Sequence, residues 1–361
     1  MIRIKRSLFL RHILGCSFLI WISLSGISCG KSDGPGKIDP PPPPVTTFIN
    51  PIINGADPFV YLKDGNYYYL QTVGNSIRLW KTTAMSKLND ALPQTVFNPV
   101  PGSQNSSNVW APEIYFLDGK WYIYYTAGNG QDLSQRTWVL ENSNTDPMSG
   151  TWVEKGKLFS TNADFWAIDG TVLEYNGSRY FLWCGRPDIT NTNLTQNIYI
   201  AKMTNPWTLE GAVTKLTEPE FAWEKNGFGV NEAPQILKNA DSKIFMTYSA
   251  SFCGTDDYAL GMLTLKMGGN PLVLADWTKS PQPVFTKKPI SNAFGTGHNS
   301  FFKSPDGTET WIIYHANSAT NQGCADQRNV RMQEITFNAD GSPNLGEPVA
   351  TGLQIKKPSG E

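Results

Sequence analysis

Short runs of alternating apolar and polar residues, each broken by a turn, fill most of the chain, and the runs are rich in Val, Ile, Tyr, Phe and Trp. Period-two alternation of such residues predicts half-buried β-strands. An Asp-Gly or Asn-Gly pair between two of them predicts a hairpin. One hairpin pattern returns five times. It runs Asp57-Pro58-Phe59-Val60-Tyr61-Leu62, turn Asp64-Gly65, strand Tyr67 to Leu70; then Trp110 to Phe116, turn Asp118-Gly119, strand Trp121 to Tyr125; then Asp169 to Leu173, turn Asn176-Gly177, strand Tyr180 to Trp183. The fourth copy opens at Glu232 and turns at Asp241-Ser242, and the fifth opens at His298 and turns at Asp306-Gly307.

The opening residues recur every 53 to 66 positions, which leaves room for two more strands per unit; Ile77 to Lys81, Thr137 to Glu141 and Asn197 to Lys202 have the required pattern. Repeats of this kind cannot bury their apolar faces alone and close into a ring. The predicted fold is all-β, a five-bladed β-propeller over residues 47–361 with no second domain. A jelly roll or β-sandwich would leave the common register of the five units unexplained.

Because the first strand of each propeller blade faces the axis, the five opening residues are expected to converge. They are Asp57, Trp110, Asp169, Glu232 and His298. Each alone is an ordinary turn, cap or core residue. Three carboxylates recurring in one register are a different matter, since buried charge is costly unless paired or used. Cleavage of a sugar–sugar bond needs one protonated and one ionised carboxyl group across the glycosidic oxygen. In that scheme Asp57 is the ionised base that activates water and Glu232 the acid. Asp169 lies between them, where its negative charge keeps Glu232 protonated and orients it. Trp110 offers a stacking face to a sugar.

The first 28 residues read as a signal segment: basic Met1 to Arg6, an apolar stretch to Leu24, then small residues up to Cys29. Gly26-Ile27-Ser28-Cys29 resembles a bacterial lipoprotein processing site, which makes Cys29 the predicted lipid anchor. Cleavage at Cys16 would instead leave apolar sequence exposed. Residues 29–46, with Pro40 to Pro44, form a predicted extended tether. These features predict a secreted, membrane-anchored monomer, placed in the periplasm or on a bacterial outer membrane or cell surface.

A formal charge of −1 with scattered Lys and Arg argues against nucleic acid and for an uncharged partner. Cys253 and Cys324 both lie in Gly-containing loops, but spacing alone leaves their pairing open. Cys184 ends an apolar strand and is expected to be buried.

The motifs Ala56-Asp57-Pro58, Trp110-Ala111-Pro112-Glu113, Ile168-Asp169-Gly170, Asn231-Glu232-Ala233-Pro234 and Gly297-His298-Asn299, in this order, resemble glycoside hydrolase family 43. The resemblance covers about residues 50 to 350. It implies a five-bladed propeller that hydrolyses arabinose- or xylose-containing plant cell-wall polysaccharide with inversion, using Asp57 as base, Asp169 as modulator and orienter and Glu232 as acid. It also implies that Arg331 reaches substrate hydroxyls and that His298 stands beside a calcium ion, held through water because hard cations prefer oxygen; no cofactor is required. Cys253 to Asp257, Gly295 to Ser300 and His315-Ala316-Asn317 most resemble the family's α-L-arabinofuranosidases, with β-xylosidase and endo-arabinanase as alternatives. A glycan-binding lipoprotein without catalysis is the alternative of another class. Inserts at Asp188 to Gln196 and Asn317 to Gln327 are expected to wall the cleft.

Overall fold

A computed structural model describes residues 46–361. The predicted signal segment, the Cys29 anchor and all but the last residue of the tether lie outside the described residues. Five antiparallel sheets follow one another along the chain. Blade 1 is built from Ala56–Lys63, Asn66–Thr72, Ile77–Thr82 and Gln94–Phe97. Blade 2 is Ser107–Leu117, Lys120–Gly128, Arg136–Asn142 and Val153–Leu158. Blade 3 is Trp166–Tyr175, Ser178–Arg186, Asn197–Asn205 and Thr208–Thr217. Blade 4 is Asn231–Lys238, Ile244–Ala250, Ala259–Leu265 and Trp277–Lys279. Blade 5 takes Phe294–Lys303, Thr310–Asn317 and Asn329–Phe337 from late in the chain, and Ile53–Asn54 from before blade 1.

That early strand closes the ring. Ile53 pairs with Val330 and Asn54 with Asn329. Just upstream, the Asn50 side-chain amide donates to Met332 O at 2.9 Å and accepts from Met332 N at 3.0 Å, extending the ladder with a side chain in place of backbone. The two described ends of the chain also pair, Thr47–Ile49 against Gln354–Lys356.

The turn residues explain the hairpins. In blades 1 to 3 both central residues have positive φ, as in Asp64 (51°) and Gly65 (73°), the conformation whose twist matches the flanking strands. The alternating strands then send one face to each neighbouring blade, so the core is divided into five seams. Phe59, Leu70 and Leu79 of blade 1 pack on Ile114, Trp121 and Ile123 of blade 2. Val60, Tyr69 and Trp80 pack on Trp311, Ile313 and Met332 of blade 5. Equivalent clusters join blades 2 and 3, 3 and 4, and 4 and 5. Trp121 and Trp311 are fully buried, where truncation of such a ring to Ala costs about 3–5 kcal/mol.

Candidate active site

Every innermost strand carries the same irregularity. Ladder pairing stops at Ala56, Trp110, Ile168, Glu232 and Gly297 and resumes three residues later, at Phe59, Glu113, Thr171, Gln235 and Ser300. The first residue of each interruption is left-handed: Asp57 (φ 59°), Ala111 (42°), Asp169 (54°), Ala233 (49°) and His298 (44°). Such backbone in residues other than glycine is strained and concentrates where side chains must be re-aimed. In blade 3 the next residue is Gly170, where a Cβ would stand 2.1 Å from the Phe181 ring.

This geometry corrects the repeat register. Asp57, Asp169 and His298 share the left-handed position, but Trp110 and Glu232 stand one residue earlier, on the last paired position. The extra bulge residue is invisible to hydrophobic alternation, so an alignment on the most chemical residue of each blade slipped by one in blades 2 and 4. All five side chains nevertheless line a single cleft of about 560 Å³.

Asp57 sits among three basic side chains. Arg328 Nη1 lies 3.1 Å from its Oδ1, and His298 Nδ1 and His315 Nδ1 each lie 3.3 Å from the same oxygen. Thr72 Oγ1 donates to the other oxygen at 2.6 Å. Burial works to raise the Asp57 pKa, but the basic side chains around it, His298 and Arg328 foremost, outweigh it and hold the carboxyl well below its usual range. Of these, Arg328 is the charge that persists at neutral pH. Burial lowers the pKa of both imidazoles, His315 to about 4, which leaves them neutral. His315 Nδ1 also accepts the Asp57 amide at 3.1 Å, which requires that nitrogen to be unprotonated.

Asp169 and Glu232 behave in the opposite way. Burial is the main cause pushing up both carboxyls, Glu232 to about 7. For Asp169 the neighbouring Glu232 and Asp57 charges add to it, and Asp57 adds to it for Glu232. The two form one coupled unit that holds a proton near neutrality. Either carboxyl, once charged, opposes ionisation of the other, which is the influence on Glu232 expected of Asp169. Tyr258 donates to Glu232 Oε1 at 2.7 Å, and the Ala233 amide donates to Asp169 Oδ2 at 3.2 Å.

Arg331 does not join them. It is a fully buried residue of the third strand of blade 5, with its guanidinium on Asn329 Oδ1 (2.9 Å), Asn292 O (2.7 Å), Ser318 Oγ (3.1 Å) and Asn317 O (3.4 Å). This corrects the expectation that Arg331 reaches the cleft; the arginine that lines it is Arg328, three residues earlier. Both insert regions contribute to the wall, through Asn191, Leu194, Gln196 and Cys324. Cys253 and Cys324 are disulfide-bonded, joining the loops that follow the second strands of blades 4 and 5. Trp166 forms another part of the wall, with the Arg186 guanidinium 4.6 Å from its ring centroid.

The donor set around His298 does not fit a calcium ion. Calcium takes roughly six to eight oxygen ligands, whereas here two imidazoles and a guanidinium surround the one carboxylate, whose charge Arg328 already pairs. Among the described residues no group of three or more His, Cys, Asp or Glu is arranged to hold a metal.

A five-bladed propeller whose axial cleft opposes one ionised carboxylate to a proton-holding pair has the layout of an acid–base glycosidase. The sequence matches the profile of "Glycosyl hydrolases family 43" over residues 48–343, and the chain belongs to that family. It is 38% identical to the extracellular exo-α-(1→5)-L-arabinofuranosidase of Streptomyces avermitilis, an alignment spanning 88% of this chain and 67% of that one. It is 37% identical to the enzyme of the same name from Streptomyces chartreusis, over 78% of this chain and 86% of that one. The crystal structure of an α-L-arabinofuranosidase from Lactobacillus brevis superposes with a TM-score of 0.79 at 36% identity, covering 85% of this chain and 98% of that chain.

Proposed function

We propose that this glycoside hydrolase is an inverting, exo-acting α-L-arabinofuranosidase that releases L-arabinofuranose from plant arabinan or arabinoxylan. The observation that carries the mechanism is the opposed proton affinity of Asp57 and the Asp169–Glu232 pair in one cleft. The substrate assignment is supported by the activity named for the relatives above. Asp57 takes a proton from a water molecule, whose oxygen attacks the anomeric carbon from the face opposite the leaving group. Glu232 gives its proton to the glycosidic oxygen as that bond breaks. Asp57 then releases its proton to solvent and solvent reprotonates Glu232; Asp169 orients Glu232 and raises its proton affinity, while Trp110 and Trp166 supply apolar walls for the sugar. Arg328 keeps Asp57 ionised and, with His298, marks where hydroxyls of the bound ring would be held.

The same reading places the enzyme outside the cytoplasm. The two Streptomyces relatives are named extracellular, and the N-terminal sequence pattern adds a Cys29 lipid anchor with a Pro-rich tether, holding a monomeric enzyme in the periplasm or at the cell surface.

Proton NMR of an aryl α-L-arabinofuranoside during turnover is expected to show the β-anomer of arabinose first. Early appearance of the α-anomer overturns inversion. Arabino-oligosaccharides should shorten one arabinose at a time; release of xylose from xylo-oligosaccharides with no arabinose release would replace the assignment by a β-xylosidase. Because the axial donor set does not suit calcium, an excess of chelator should leave the rate unchanged, and a loss restored by added calcium would overturn the metal-free mechanism.

A further inference from the structure

Alignment of the blades at the bulge also aligns their second strands, and one position there has the same task in four of them. The residues cross-strand from the last paired position are Thr72, Thr126, Cys184, Ser249 and His315 in blades 1 to 5. In four blades that side chain accepts a hydrogen bond from the left-handed residue of the following blade. Thr72 Oγ1 accepts from Ala111 N at 2.8 Å, and Thr126 Oγ1 from Asp169 N at 3.2 Å. Ser249 Oγ accepts from His298 N at 2.8 Å, and His315 Nδ1 from Asp57 N at 3.1 Å. The ring of bulges is thus stitched from blade to blade by one repeated bond.

Blade 3 departs from the pattern. Its residue is Cys184, whose sulfur is a weak acceptor and whose thiol donates to Gln196 Oε1 at 3.3 Å. The amide that would have been taken, Ala233 N, donates to Asp169 Oδ2 at 3.2 Å. All of these groups are buried, so the amide must find some partner.

We infer that Cys184 is a positioning residue: by leaving the Ala233 amide free, it directs that N–H onto the Asp169 carboxylate and fixes Asp169 beside Glu232 in its ionised form. An N–H can only donate, so the bond favours the state in which the shared proton rests on Glu232, where the leaving group needs it. The inference rests on the reading of Asp169 and Glu232 as the acid pair. It explains why the stitch is broken in the one blade whose following bulge adjoins the acid.

Cys184→Ser restores the hydroxyl that the other blades use, and Cys184→Ala supplies no acceptor. In a crystal structure of Cys184→Ser, the serine Oγ is expected to capture the Ala233 amide, as Ser249 captures that of His298. Asp169 then competes better for the proton. On an arabino-oligosaccharide kcat should fall about tenfold with little change in KM, and the alkaline limb of kcat/KM should move up by about one pH unit. An activated aryl substrate should lose less. Cys184→Ala should keep the alkaline limb where the unsubstituted chain has it. If the Ala233 amide stays on Asp169 in the serine variant, or if Ala and Ser move the limb alike, the role given to Cys184 is overturned while the acid pair stands. A captured amide with an unmoved pH profile would overturn the acid pair itself, and the inference with it.

Discussion

With Glu232 replaced by alanine, hydrolysis of an arabino-oligosaccharide is expected to fall on the order of 10³–10⁴-fold, while an aryl arabinofuranoside with a good leaving group loses only about 10- to 100-fold. The difference arises because a stable phenolate departs without a proton and a sugar alkoxide does not. Asp57→Ala should lose on the order of 10³–10⁴-fold on both substrates, since water must be activated whatever leaves. Equal losses for Glu232→Ala on both would overturn its role as acid. The pH profile of the unsubstituted enzyme follows from the same two groups. Asp57 must be ionised, so activity disappears as pH falls through its lowered pKa, below the ordinary value of 3.8. The pair must hold a proton, so activity declines as pH rises through the region around 7.

The second large effect separates two arginines three residues apart. Arg331→Ala removes a fully buried guanidinium and strands the carbonyls of Asn292 and Asn317. A stability loss of about 3–4 kcal/mol is expected from denaturant unfolding, with kcat/KM of the folded fraction nearly unchanged. Arg328→Ala should do the reverse. Loss of the 3.1 Å ion pair removes a cause of the lowered Asp57 pKa, so the acid limb of kcat/KM should move up by roughly one pH unit with little change in stability. A catalytic defect in Arg331→Ala without destabilisation would restore it to the substrate site.

The hairpins were legible because their causes are local: Asp64-Gly65, Asp118-Gly119 and Asn176-Gly177 adopt the left-handed turn that their composition favours. The three carboxylates of the cleft were legible because they recur at blade openings. Their relative register was not, because the bulge places Trp110 and Glu232 one residue ahead of Asp57, Asp169 and His298 without altering the surrounding apolar pattern. Arg331 was mistaken for Arg328 since both are basic residues at the edge of the same strand, and burial decides between them. The supporting residues Thr72, His315 and Tyr258 were missed as site residues. For the first two a signal existed: aligned second strands place a hydrogen-bonding residue at the ends of Asn66–Thr72 and near the end of Thr310–Asn317. Tyr258 has no such signature, because it precedes its strand and reaches Glu232 only through the ring geometry.

The joint made by Ile53–Asn54 lies between Asp57 and the basic side chains that surround it. Asp57 belongs to blade 1, whereas His298, His315 and Arg328 all come from blade 5, and Gly55 N donates to Arg328 O at 3.1 Å across the same joint. Asp169 and Glu232 sit on blades 3 and 4, away from it. A chain whose ring springs open there keeps Asp169 and Glu232 in their blades and returns Asp57 to an ordinary carboxyl, so the fastening of the two ends and the lowered pKa of Asp57 belong to one equilibrium.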